Sequence, residues 1–345
     1  MSTMRAAVCV EPGKMALEER PIPKPAADEV IVRVEASGVC GSDVRGFHGT
    51  HPEIEHYPII LGHEFAGTVV ELGTDVAAPA VGTRVTVEPL AVCGVCRGCV
   101  RGTYQLCNSL KLNGHHYEGS FAEYTTAKAR FCYPIPTEMD METAAFGEPV
   151  AVAVHAVKRA QVALGDFVVI LGAGPIGNLC MQVAKAAGAR TLITDVDSRK
   201  LTVAKKTGAD LTANATSEPV RKLVLALSNG DGADVVLECA GAAATLGESV
   251  HLARKGGTVV AVGFTAAETD GVSLTTVTIR ELNLLGTVIY AWDFPTTVDL
   301  LATGAVRTKP LTTHRYSLET FVEQADTIAA KPRGMIKPMV LPQES

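Results

Sequence analysis

The chain has 345 residues, a formal net charge of -6 at pH 7, 20% charged and 47% hydrophobic residues, and 32 glycines. An acidic balance with no long run of Lys and Arg excludes nucleic acid as a partner, and the apolar content excludes a disordered chain. The start, MSTMRAAVCVEPG, has no secretory signal pattern and no apolar run reaches membrane-span length, so the expectation is a cytoplasmic enzyme of two domains with no membrane partner.

Residues 1 to about 150 carry short β-rich runs such as Val30-Ile31-Val32-Arg33-Val34, punctuated by Gly and Pro, as an all-β module requires. Three short polar groups lie among them: Cys40-Gly41-Ser42-Asp43, Gly62-His63-Glu64 and Gly147-Glu148-Pro149. Each is weak alone, since a single Cys or His is usually core filler. Between them, Cys93, Cys96, Cys99 and Cys107 form C-x2-C-x2-C-x7-C on a glycine-rich loop. Four thiolates so spaced close a tetrahedron around a structural zinc, with no open position for chemistry. Disulfides, free thiols and an iron–sulfur cluster are the alternatives; against the last, Cys107 is followed by Asn108 rather than the Pro of the bacterial ferredoxin run.

From about residue 151 the pattern changes. Phe167-Val168-Val169-Ile170-Leu171 is the apolar run of a parallel strand buried on both faces, and a helix from Pro175 ends at Gly188. Strands at 191–194, 234–237 and 257–262 alternate with helices at 198–207 and around 242–254, a doubly wound βα order. Gly172, Gly174 and Gly177 of GAGPIG, with Pro175 and Ile176 opening the helix, suit a pyrophosphate at a helix N-terminus. Asp195, about 20 residues on, suits both hydroxyls of an adenosine ribose and repels a 2′-phosphate, which favours NAD over NADP. Lys200, in the next helix, is grouped with these cofactor-binding residues. Past about residue 291 the alternation lapses, so the expected division is residues 1–150 plus 295–345 against 151–294.

In this order, CGSD, GHE, the cysteine loop, GEP and GAGPIG make essentially the whole chain resemble the zinc-containing medium-chain dehydrogenase/reductase family, within it the sorbitol-type polyol and threonine dehydrogenase branch. The resemblance implies an α/β fold, a Rossmann domain beside a mostly β GroES-like catalytic domain. It also implies two zinc ions per chain, NAD, a small-molecule alcohol substrate and assembly as a homodimer or homotetramer. By it, Cys40 and His63 ligate a catalytic zinc, Glu64 is a ligand or alternates as one, and Glu148 holds the metal directly or through water. Asp43 orients His63, and Ser42 relays the hydroxyl proton. Zinc acts as a Lewis acid on the hydroxyl of a secondary alcohol in a polyol, sugar or sugar acid, and hydride leaves to NAD.

Several positions depart from that family. Arg45 replaces a relay histidine and, permanently protonated, cannot shuttle a proton; His48 or a water linked to Glu148 are the alternatives. Arg45 matches a carboxylate or phosphate, which makes an anionic polyol the substrate hypothesis, against a plain surface Arg or a cofactor-phosphate contact. Gly46 and Ile289 stand where sorbitol dehydrogenases have a Tyr and an Arg, and only Tyr290 remains as a substrate contact, so sorbitol itself is disfavoured. The segment 282–290 resembles the family's interface strand, with a core strand as the alternative. Competing functions are an L-threonine-type amino alcohol dehydrogenase, a zinc-free quinone reductase and a non-enzymatic zinc-ribbon binding protein.

Overall fold

A computed structural model describes residues 2–264 and 271–344. The chain divides into two compact units: Met1–Glu148 with Phe294–Ala302 and Thr312–Ser345, and Pro149–Asp293 with Thr303–Leu311.

The first unit is built on mixed β-sheets, the largest ordered Cys132–Pro134, Arg84–Val87, Glu64–Leu72, Glu29–Gly38, Lys337–Val340, Thr312–Tyr316, with Tyr124–Lys128 also pairing to Glu29–Gly38. Its apolar side chains meet in a core that includes Val30, Val32, Val34, Phe65, Val69 and Val85. Helices in this unit are short, none exceeding nine residues apart from Gly147–Ala160, which leads into the second unit. The sheet register matters most for function. Gly38 pairs with Glu64 on one side and Met339 on the other, so residues near both ends of the chain converge on one point of the sheet.

The second unit holds a six-stranded all-parallel sheet ordered Leu211–Asn214, Arg190–Asp195, Phe167–Leu171, Ala233–Glu238, Ala253–Ala261, Asn283–Gly286. Phe167–Leu171 is buried at every position because it is an interior strand of the sheet and helices cross above and below it. Elements that escape sequence reading include the strand Leu211–Asn214, too short and polar to show a strand period, and the helices Val220–Leu227 and Leu274–Ile279.

The domain boundary also shifts. Thr303–Leu311, expected with the first domain, belongs to the second unit, where Arg307 N–H donates to Gln182 Oε1 at 2.7 Å and Gln182 Nε2 donates to the Arg307 carbonyl at 3.2 Å. A buried glutamine satisfied at both ends by one residue's backbone fixes that segment. Among the described residues no helix is long and apolar enough to cross a membrane.

Candidate zinc and dinucleotide sites

The four cysteines of the loop converge. Four sulfurs about 2.3 Å from one zinc at tetrahedral angles stand about 3.8 Å apart. Here Cys93 and Cys99 Sγ are 3.9 Å apart, Cys96 and Cys99 3.6 Å, and Cys93 and Cys107 3.6 Å. Backbone N–H groups already point at the sulfurs: Cys96 donates to Cys93 Sγ at 3.3 Å and Ser109 to Cys107 Sγ at 3.4 Å. Amides of Cys99 and Asn108 pull the Cys96 thiol down to about 6, while burial and the neighbouring thiols push Cys99 up to about 12. A side chain at Gly98 would meet the Leu106 carbonyl at 2.9 Å, so only glycine lets the loop fold this tightly.

A second group gathers Cys40, His63 and Glu64, whose donor atoms lie within 4.8 Å of one another. Cys40 is the residue that opens the helix Gly41–Phe47, and Asp43 in its first turn is the organiser. Asp43 Oδ2 accepts from the Cys40 amide at 2.7 Å and Oδ1 from the Gly62 amide at 3.1 Å, tying the CGSD segment to the GHE segment. Asp43 Oδ1 also stands 3.3 Å from His63 Nδ1. That leaves His63 Nε2 on the other edge of the ring, 3.5 Å from Ser42 Oγ. A carboxylate on one imidazole nitrogen fixes the ring's orientation and leaves the other for a metal. Burial alone would push the Asp43 carboxyl up; His63 and the Cys40 amide outweigh it and hold it below its usual value.

Glu64 has a partner that sequence reading missed. Lys337 Nζ donates to both its carboxylate oxygens, at 2.7 and 2.5 Å, and both residues are buried. Burial would lower the Lys337 ammonium, and Glu64 more than compensates, raising it. A Cβ at Gly38 would stand 2.3 Å from Glu64 Oε2, so the carboxylate lies flat on the strand because glycine is there. Glu64 is thus held by an ion pair, while each of its oxygens keeps a further lone pair that can face the Cys40 and His63 donors. Lys337→Met should lower stability by about 3–5 kcal/mol, the usual result of stranding a buried charge, and the loss should shrink in Lys337→Met/Glu64→Gln. Denaturant midpoints of the three proteins check this; equal midpoints for single and double variants contradict it.

The remaining positions fare unevenly. Glu148 is buried at the start of Gly147–Ala160 and adds to the field on Lys337, but it is outside the Cys40, His63 and Glu64 group, so of the two expected roles contact through water is the one this geometry favours. Tyr290, the expected substrate contact, is fully buried. A Cβ at Gly46 would lie 2.7 Å from Ile54 Cδ1 and 3.2 Å from Leu61 Cδ2, so a larger residue there requires those side-chain ends to shift. Arg45 lies in the last turn of Gly41–Phe47, partly exposed, and His48 is exposed beyond it.

The glycines of GAGPIG have separable reasons. Gly172 adopts φ +98°, a Cβ on Gly177 would sit 1.9 Å from the Gly172 carbonyl, and Gly174 faces open space. Pro175 opens the helix Pro175–Ala186, leaving free amides at its N-terminus, and Ile176 follows it in the first turn. Asp195 Oδ2 accepts from Ala173 N–H at 2.8 Å and Oδ1 from Asp197 N–H at 2.9 Å, so this carboxylate also anchors the glycine turn; Lys200 Nζ is 3.8 Å away. Each oxygen keeps a further acceptor position.

The chain as a whole matches known proteins. Residues 26–137 match the alcohol dehydrogenase GroES-like domain and residues 175–303 the zinc-binding dehydrogenase domain. A sorbitol dehydrogenase of Halalkalibacterium halodurans is 37% identical, covering 89% of this chain and 90% of its own. A D-arabitol-phosphate dehydrogenase of Enterococcus avium is 34% identical, over 94% of both chains. The crystal structure of galactitol-1-phosphate dehydrogenase from Escherichia coli is 31% identical, covers 98% of this chain and 100% of its own, and superposes with a TM-score of 0.91. The chain belongs to the zinc-binding alcohol dehydrogenase family, medium-chain type. Within it, its relatives of this similarity include dehydrogenases of polyols and polyol phosphates.

Proposed function

We propose that this protein oxidises a secondary alcohol of a polyol, sugar or sugar acid to the ketone, passing hydride to NAD, with one catalytic and one structural zinc per chain. The observation that carries it is the gathering of Cys40, His63 and Glu64 donors within 4.8 Å, braced by Asp43. A zinc there supplies Lewis acidity to the substrate hydroxyl, and a dinucleotide on the glycine turn supplies the hydride acceptor. Cys40 and His63 would hold the zinc, with Glu64, paired to Lys337, as a further or alternating ligand and Glu148 reaching it directly or through water. Ser42 Oγ, close to His63, receives the hydroxyl proton. Arg45 cannot pass it on, so the outward path runs through water or His48. The structural zinc belongs to Cys93, Cys96, Cys99 and Cys107.

Polyol-phosphate dehydrogenases among the relatives favour the anionic end of this class, and Arg45 is the cation proposed to meet the anion. NADH formation across polyols, polyol phosphates, sugar acids and threonine tests the class; turnover of threonine alone would move the assignment to an amino alcohol. Gly172, Gly174, Pro175, Ile176 and Gly177 are proposed to hold the pyrophosphate, and Asp195 with Lys200 the ribose. Asp195→Asn keeps an acceptor for the Ala173 amide but loses the charge, so preference for NAD over NADP should fall about tenfold, the worth of roughly 1.4 kcal/mol. Unchanged relative kcat/KM for the two cofactors contradicts that role. The edge strand Asn283–Gly286, with Leu284 and nearby Ile279 exposed, is proposed as the subunit contact, giving a dimer or tetramer measurable by sedimentation.

A further inference from the structure

A third group of donors has no place in the assignments above. His51, Glu53 and His115 bring their ligand atoms within 4.8 Å of one another, as closely as Cys40, His63 and Glu64 do. His115 is 4% exposed, yet neither ring nitrogen has a hydrogen-bond partner among the described residues. Leaving such a group unsatisfied is costly, so a buried imidazole with two idle nitrogens is a position in want of a ligand.

The spacing says which kind. Two ligand atoms about 2.1 Å from one zinc-sized cation, at a tetrahedral angle, stand about 3.4 Å apart. His115 Nδ1 and Glu53 Oε2 are 3.5 Å apart, the distance of co-ligands rather than of a short direct bond. The His51 ring lies against the His115 ring, centroids 4.4 Å apart, and its Nδ1 accepts from the Glu53 amide at 3.2 Å, which leaves Nε2 for a ligand. Glu53 is more than half exposed and free to adjust its carboxylate. The surrounding field is mixed, with Asp43 and Glu53 negative and Arg45 positive near His51.

We propose that His51, Glu53 and His115 form a further, reversibly filled site for a divalent cation of the zinc class. Two imidazoles and one carboxylate select Zn²⁺ or Co²⁺ over Mg²⁺ or Ca²⁺, and three protein ligands leave a position for water or a substrate oxygen. The His115 ring also packs on the His63 ring, centroids 5.2 Å apart, so a cation here adds its charge beside the Cys40 and His63 centre.

Equilibrium dialysis of the zinc-loaded enzyme against Co²⁺ tests this, with zinc and cobalt both counted and the visible cobalt spectrum recorded. The expected result is one Co²⁺ per chain beyond the resident zinc, weakened by at least about 10-fold in His51→Ala and in Glu53→Ala. Both positions retain surface exposure, and unchanged melting curves certify the variants; Glu53→Gln serves if Glu53→Ala is misfolded. Cobalt bound only as zinc is released, or bound equally by all variants, overturns the proposal. The resident zinc count in the same samples reads the Cys40 and His63 assignment separately, so either can fail without the other.

Discussion

Cys40→Ser should lower alcohol oxidation by at least about 10³-fold, since a Lewis-acid metal is worth several kcal/mol in the transition state and each 1.36 kcal/mol is tenfold. One of the two expected zinc ions should be lost with it, while the melting temperature changes little. The physical reason is position: Cys40 is only partly buried at the mouth of a seven-residue helix, and its backbone amide, not its sulfur, takes the Asp43 bond. His63→Ala should be as inactive but less stable, because that ring is buried against Asp43 and His115. Full zinc content with activity lost in Cys40→Ser would place the thiol in chemistry other than metal binding.

Cys96→Ser should have the complementary effect: the structural zinc leaves, the loop opens, and the catalytic zinc stays. Tyr104 anchors the loop against Phe131, but Val95 is 81% exposed, Val100 73% and Leu106 59%. Much of the loop's order should therefore come from the metal: structural zinc contributes on the order of 10 kcal/mol in small zinc domains, part of which should appear here. Limited proteolysis should cut between residues 93 and 107 in the variant and not in the parent. A parent-like digestion pattern at one zinc fewer would show that backbone bonds alone hold the loop.

The features easiest to read in the sequence are those whose partners are local. GAGPIG and the cysteine loop carry their geometry within a few residues, because a tight turn and a four-sulfur tetrahedron are built from neighbours. Cys40 and His63 are weaker, since each is an ordinary core residue until the Glu29–Gly38 and Glu64–Leu72 pairing brings their segments together, and only the family resemblance joined them. Lys337 was illegible: it lies 273 residues from Glu64, and nothing in its own surroundings marks it as buried. His115 and its neighbours escaped for the same reason. Tyr290 is aligned with a substrate contact by the resemblance alone, and its full burial is a feature that alignment does not carry.

The most direct test is zinc withdrawal and return. Protein assayed for NADH formation on a responsive polyol or polyol phosphate is treated with a chelator until one zinc per chain remains, then resupplied with zinc. The proposed centre requires activity to fall with that zinc and to return with it in the parent but not in Cys40→Ser. NAD-dependent oxidation that persists at full rate after the exchangeable zinc has gone would contradict it.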